Sequence, residues 1–315
     1  MILSRRLITH LLPALVLSFP VSAASRLFTD IDTPPGIKIW HGNHNNHIFC
    51  TGSGSPTVVL ESGLGGNSLD WVLVQPEIAR FTRVCSYDRA GYGWSDSGNL
   101  PRSIPRLAAE LEILLRLAGE TPPYILTGHS FGGLINQFFA ASYRDKVVGM
   151  VLVDSSNTEQ FERLENDRRT ARLTPTSPSF ILYNSTSIPE AIPNEYKPLA
   201  RLLATKRKSV RALYSELRNF RRSVDELKGL DASRADIPVK VISRGVIPPA
   251  GSSLSNDQVG KREVVWKKMQ EDLARKNNAA LLVSKKPDHY IQLSDPAIVV
   301  DAVRSVFNDV RNKGL

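Results

Sequence analysis

A serine set between glycines, Gly128-His129-Ser130-Phe131-Gly132, is the stretch of this chain best suited to chemistry. A hydroxyl is too weakly acidic to attack a carbonyl at neutral pH, so Ser130 needs a neighbouring base, and the base needs an orienting carboxylate. Six histidines are available. His10 lies in an N-terminal apolar segment, His129 sits inside the serine turn and is expected to point away from the nucleophile, and His41, His44 and His47 share one polar stretch. His289, in Pro287-Asp288-His289-Tyr290-Ile291, is left as the candidate base. The turn where an acid would be sought first, Ser243-Arg244-Gly245-Val246-Ile247-Pro248-Pro249, has no carboxylate. Asp154 is therefore the candidate acid, with Asp257 as fallback and Asp288 third. Backbone N–H groups of Leu64 and Phe131 are the natural donors to an oxyanion, and Gly63, Gly65 and Gly66 let the main chain come close to a substrate. His41-Gly42-Asn43-His44-Asn45-Asn46-His47 fixes no coordination geometry in a loop and has no cysteine or carboxylate nearby in sequence, so it reads as a polar hairpin loop rather than a zinc site. The chemistry needs no metal and no organic cofactor.

Alternating strand and helix signals position these residues. Ile37 to Trp40 and Asn46 to Phe49 read as an antiparallel hairpin, and Thr57 to Glu61 as a buried β-branched strand running into the Ser62–Gly66 loop. A helix from Trp71 to Arg80 and a strand from Thr82 to Tyr87 follow. Ile104 to Ala118 has apolar residues at helical spacing, and Tyr124 to Thr127, after the breaker Pro122-Pro123, is the strand that delivers Ser130. Leu134 to Tyr143 reads as the next helix and Val147 to Val153 as a strand ending at Asp154, at the carboxyl edge of the sheet where ligand sites of open α/β folds gather. From Ser155 to Ala235 the pattern turns to charged helical segments broken by prolines. The sheet resumes at Pro238 to Ser243, with a helix over Val264 to Lys276, a last strand over Ala279 to Val283 and a closing helix over Ile298 to Val310. This alternation predicts an α/β fold with a mostly parallel sheet and helices on both faces. The division is a leader at 1–23, a core at 24–154 and 236–315, and a helical cap at 155–235.

An apolar content of 42% with 7% aromatics suits a soluble enzyme,. Arg5-Arg6, the apolar run Leu7 to Phe19 and the small residues Val21-Ser22-Ala23 read as an export signal cleaved before Ala24, the competing reading being a retained anchor. The expected location is secreted or periplasmic. Net charge is +9, falling to +7 when Arg5 and Arg6 leave, and residues 155–235 hold fifteen Lys or Arg against ten Asp or Glu. Such a patch could meet an anionic substrate or membrane surface, or be a solvated helical face. It lacks the interleaved aromatics of a single-strand nucleic-acid groove, so no nucleic-acid partner is expected. Cys50 and Cys85 are the only cysteines; export would allow one disulfide, and two separate buried thiols are the alternative.

Glu61 to Gly66, Asp88 to Ser95, the Gly-His-Ser-Phe-Gly-Gly turn at 128–133 and His289, in this order, resemble the α/β-hydrolase fold superfamily, over roughly residues 35–154 and 236–312. Tyr87-Asp88-Arg89-Ala90-Gly91-Tyr92-Gly93-Trp94-Ser95 looks like the loop after that superfamily's fourth strand. The resemblance implies an eight-stranded sheet, a triad of Ser130, an acid and His289, and a cap controlling access. Two departures stand out. Ser62 occupies a place where many relatives carry histidine, and the late acid is missing, as in some haloalkane dehalogenases whose acid follows the sixth strand, which favours Asp154. Dehalogenases and epoxide hydrolases of this fold use an aspartate nucleophile, and prolyl aminopeptidases are expected to offer an acidic cap. The resemblance therefore implies a serine hydrolase, esterase- or lipase-like, cleaving a carboxylic ester or related acyl bond through an acyl-enzyme. The alternatives are a cofactor-free haloperoxidase or lyase, an aminopeptidase, and a non-catalytic binding protein on the same fold.

Overall fold

The structure, a computed structural model, describes residues 31–165, 188–245 and 256–314. The leader segment and the prolines at 175 and 178 lie outside them, as do residues 246–255 and the side chain of Asp257. Eight strands form one sheet in the order β1-β2-β4-β3-β5-β6-β7-β8. They are β1 (Ile37–Trp40), β2 (Asn45–Thr51), β3 (Thr57–Glu61), β4 (Val84–Tyr87), β5 (Tyr124–His129), β6 (Val147–Val153), β7 (Val239–Ser243) and β8 (Ala280–Val283). Only β1–β2 and β2–β4 pair antiparallel; every other pair is parallel. Cys50 and Cys85 face each other across β2 and β4 and are joined by a disulfide.

The central strands are apolar on both faces because helices cover both. On one face Val59, Leu126, Met150 and Val241 pack with α2 (Ile104–Leu117) and α3 (Phe131–Ser142). On the other, Val58, Leu60, Val151 and Ile242 pack with α1 (Gln75–Ile78) and the closing helix α9 (Pro296–Lys313). Helix α2 buries Ile104, Leu107, Ala108, Leu111, Leu114 and Leu115, the i, i+3, i+4 stripe its sequence carries,. Between β6 and β7 the described residues hold α4 (Gln160–Glu165), α5 (Lys197–Ala204) and α6 (Arg207–Lys228). Helix α7 (Asn256–Lys276) and the single turn α8 (Ile291–Ser294) complete the helices that bear on the site.

The helix expected over Trp71–Arg80 is instead a 3-10 turn, Ser68–Trp71, followed by the one-turn α1. Pro76 has no N–H to give to the preceding turn and can only start a helix, as it does here at its N-terminus,. The Asn67 side chain caps the earlier turn by accepting from the Leu69 N–H at 3.0 Å,. Helix α7 begins eight residues before the expected Val264, because its first turns lack the apolar spacing that marks its second half.

The carboxyl ends of five parallel strands converge. They release the Ser62–Gly66 loop from β3, Ser130 from β5, Asp154 from β6, Arg244 from β7 and the His289 loop from β8.

Candidate active site

Ser130 links β5 directly to α3 at φ 51°, a left-handed conformation that a non-glycine residue adopts only where its surroundings enforce it,. The neighbouring glycines permit the turn: a Cβ at Gly128 would lie 2.7 Å from the Gly132 carbonyl oxygen, and one at Gly132 would lie 2.5 Å from that of Glu61. Phe131 opens α3, where the first N–H groups have no intrahelical acceptor,. In the facing loop the turn bond runs from the Gly66 N–H to the Gly63 carbonyl at 3.1 Å, leaving the Leu64 N–H outside it.

Asp154 ends β6 with φ 41°, a second non-glycine residue in the left-handed region. Its carboxylate is fully buried and crowded with donors. His289 Nδ1–H donates to Oδ2 at 2.6 Å and Arg244 Nη1 donates to the same oxygen at 2.5 Å. Oδ1 accepts from Trp266 Nε1 at 2.8 Å and from the Arg244 backbone N–H at 3.1 Å. Burial alone would raise this acid, but the His289 bond and charge, the Arg244 charge and the Trp266 bond together hold it well below the usual carboxylate range,. Nδ1 is thus committed to a carboxylate, and His289 Nε2 is left as the nitrogen able to take a proton.

His289 is about a third exposed. Together with Leu64, Asp70, Ile188, Ala200, Arg201 and Tyr290 it lines a cavity of about 600 Å³. Its charged walls are two carboxylates, Glu190 and Asp288, against one arginine, Arg201, with a third acid, Asp70, raised by burial to about 7. Arg201 belongs to α5; the exposed arginines of α6, Arg207, Arg211, Arg218, Arg221 and Arg222, do not line this cavity.

A family sequence profile matches residues 58–302, the span from β3 into α9 that carries all of these groups. The chain belongs to the alpha/beta hydrolase family. Among curated proteins it is similar to the YqjL protein of Bacillus subtilis (strain 168), 26% identical over 257 residues that cover 81% of this chain and 85% of YqjL. Among solved structures it resembles a thermophilic esterase from Thermogutta terrifontis, with a TM-score of 0.62, 20% identity, and 87% and 98% of the two chains covered. It also resembles the epoxide hydrolase CorEH, with a TM-score of 0.58, 19% identity, and 86% and 98% covered. At those identities the structural likeness speaks for the fold.

Several groups of this alpha/beta hydrolase sit where their sequence does not suggest. His129, expected to point away, packs against His289 with ring centroids 4.6 Å apart, and its Nε2–H donates to the His289 carbonyl at 2.9 Å. Burial first and the neighbouring His289 second pull it down to about 3, so it is a neutral prop for the His289 loop. His47 is not in a polar loop: it is a fully buried residue of β2 whose Nδ1 bonds Asp88 Oδ2 at 2.8 Å. Burial lowers His47, but the charge and bond of Asp88 and the Pro35 carbonyl outweigh it and leave it raised. Burial raises Asp88, while His47 and the N–H groups of Ser68 and Trp94 bring it below its ordinary value.

Arg89 is the second feature invisible in the sequence. Only 3% exposed, it donates Nη1 to Glu61 Oε1 at 2.7 Å, and Nε and Nη2 to the Glu216 carboxylate of α6 at 3.0 and 3.2 Å. It also holds the carbonyls of Ser62 and Gly63 at 2.7 and 2.8 Å. One guanidinium thus ties α6 to the loop carrying Leu64. Of the expected acids, Asp154 meets His289, Asp288 gives a carboxylate oxygen to the Tyr290 N–H at 2.7 Å, and Asp257 lies outside the described side chains. The His41–Asn46 and His44–Asn43 contacts engage amides at 3.2 and 2.6 Å. Among the described residues the one cluster with metal-ligand spacing is Cys50, Cys85 and Glu120, whose thiols are spent in the disulfide.

Proposed function

We propose that this protein is an exported serine hydrolase that cleaves a carboxylic ester or related acyl bond. Ser130 Oγ attacks the carbonyl carbon while His289 Nε2 takes its proton. Asp154 holds the imidazole, and the Leu64 and Phe131 N–H groups receive the oxyanion. His289 returns the proton to the leaving alcohol, and water, activated by the same nitrogen, releases the acid and frees Ser130. The observation that carries this reading is the His289 Nδ1 bond to the buried Asp154 carboxylate, at the same sheet edge as a serine in a strained strand-to-helix turn. A serine in that turn also weighs against the aspartate-nucleophile chemistry of the epoxide-hydrolase branch.

The cavity suggests the substrate's charge. With Glu190 and Asp288 and the partly ionised Asp70 against one arginine in its walls, it favours a neutral or cationic acyl chain over an anionic one,. The cross-strand disulfide fits an oxidising compartment and supports export,. p-Nitrophenyl esters of increasing acyl length, with one ester carrying a terminal ammonium and one a terminal carboxylate, test the reading on wild type and Ser130→Ala side by side. Serine-dependent turnover with the carboxylate ester poorest is expected. Turnover that survives Ser130→Ala, or none on any ester, would favour another chemistry or a binding protein of this fold.

A further inference from the structure

We infer that Arg244 is a positioning residue of the His289–Asp154 pair, sharing the carboxylate oxygen that orients His289 and thereby setting the pH at which the pair becomes competent. The inference rests on the hydrolase reading for its catalytic meaning, though not for its test.

A carboxylate oxygen serving only an imidazole lends its full charge to the protonated ring. Here Asp154 Oδ2 receives both His289 Nδ1, at 2.6 Å, and a permanently charged guanidinium, at 2.5 Å,. Arg244 cannot easily swing away. Its Nε and Nη2 are held by Glu263 Oε2 and Oε1 at 3.2 and 2.8 Å, its Cζ lies 4.6 Å from the centroid of the Trp266 ring, and its side chain is 11% exposed. Trp266 in turn donates to Asp154 Oδ1, so α7 grips both the acid and the arginine. The charged and titratable groups around His289 are Asp154 from β6, Arg244 from the end of β7, Glu263 from α7, His129 from β5, Asp288 and Tyr290 on its own loop, and, in the walls of the cavity it lines, Asp70, Glu190 and Arg201. His129 carries no charge at working pH, having been pulled down to about 3 by burial and by His289. Arg244 is the cation bonded to the Asp154 oxygen that His289 uses, and Glu263 is the anion that tempers Arg244.

Two changes should act in opposite directions. Without the arginine, all of the Asp154 charge falls on His289 and the ring protonates at higher pH. Without the Glu263 charge, the arginine is less balanced and the ring protonates at lower pH. A part that merely braces the fold would not produce shifts of opposite sign.

The test is an NMR titration of the histidine side chains in the full chain, with the His289 signal assigned from His289→Gln. Arg244→Met is expected to raise the His289 midpoint by about one pH unit, and Glu263→Gln to lower it by a fraction of a unit. Arg244→Lys, which keeps the charge, should hold it near wild type. The acid limb of kcat/KM on a serine-dependent ester should move with the midpoint. Midpoints that stay put, or that move the same way in Arg244→Met and Glu263→Gln, overturn the inference. If Arg244→Met fails to fold, the sign of the Glu263→Gln shift decides. Absence of ester turnover would count against the hydrolase reading and would leave the titration to judge Arg244.

Discussion

Glu216→Gln probes the link between α6 and the loop carrying Leu64. Glu216 is fully buried and accepts from Arg89 Nε at 3.0 Å, Arg89 Nη2 at 3.2 Å and the Tyr92 hydroxyl at 2.9 Å. The amide removes the charge and turns an NH₂ group toward donors that need acceptors. Arg89 is then left with Glu61, a carboxyl that burial already raises despite the opposing Arg89 charge and Tyr87 bond. Removing one partner of a buried pair costs about 3–5 kcal/mol. At roughly 2–4 °C per kcal/mol for a chain of this size class, the melting temperature should fall by about 6–20 °C. Glu77→Gln is the control: its partner Arg80 is 72% exposed and Glu77 itself 46%, so the cost should stay within about 0.5 kcal/mol. Because Arg89 also fixes the Ser62 and Gly63 carbonyls, displacing it should lower kcat/KM of Glu216→Gln by roughly ten- to a hundredfold through misplacement of the Leu64 N–H. Thermal unfolding at pH 7 and ester kinetics are the assays. A Glu216→Gln protein that melts with the wild type, or no lower than Glu77→Gln, refutes the coupling.

Asp154→Asn should lower kcat by roughly 10⁴ if the carboxylate fixes the imidazole tautomer, as for a buried triad aspartate; a change of a fewfold in steady-state turnover would remove Asp154 from that role. For the His47–Asp88 pair the signs follow from a raised histidine and a lowered carboxyl. The His47 contribution is complete below the ordinary histidine range, near 6.5, and is lost as pH rises through its raised folded value. The Asp88 contribution is present above the ordinary aspartate range, near 3.9, and is lost as pH falls through its depressed one,. The melting-temperature gap between wild type and His47→Gln should therefore peak between those ranges and close on either side; a gap constant from pH 4 to pH 9 would contradict this. Asp70 is raised by burial to about 7, and its Oδ2 has no hydrogen-bond partner. Its ionisation penalises the folded state increasingly from about pH 4 up to 7, by on the order of 4 kcal/mol at 1.36 per unit. Asp70→Asn should gain melting temperature relative to wild type between pH 4.5 and pH 8, and a difference that does not change with pH would count against it.

Much of the site is legible because it is written locally. The Ser130 turn needs only a buried strand, small residues at 128 and 132 and a helix, all contiguous in the chain. The same local logic fails at Trp71–Arg80, where apolar spacing promises a helix that Pro76 interrupts. His47 reads as polar loop because its partner, Asp88, lies 41 residues on, and only the β2–β4 pairing brings them together. Trp266 lies 112 residues from Asp154 and Glu216 lies 127 from Arg89; no spacing in the chain announces either contact. Arg244 had one signal: it stands in the turn where a carboxylate is sought, and its guanidinium reaches the acid that replaces it.

The central claim is that Ser130 is a nucleophile activated by His289. Intact-mass spectrometry after incubation with a fluorophosphonate, followed by peptide mapping, tests it most directly. One adduct is expected, on Ser130, absent in Ser130→Ala and formed orders of magnitude more slowly in His289→Gln. An adduct on another residue, or equal labelling of wild type and His289→Gln, would contradict it.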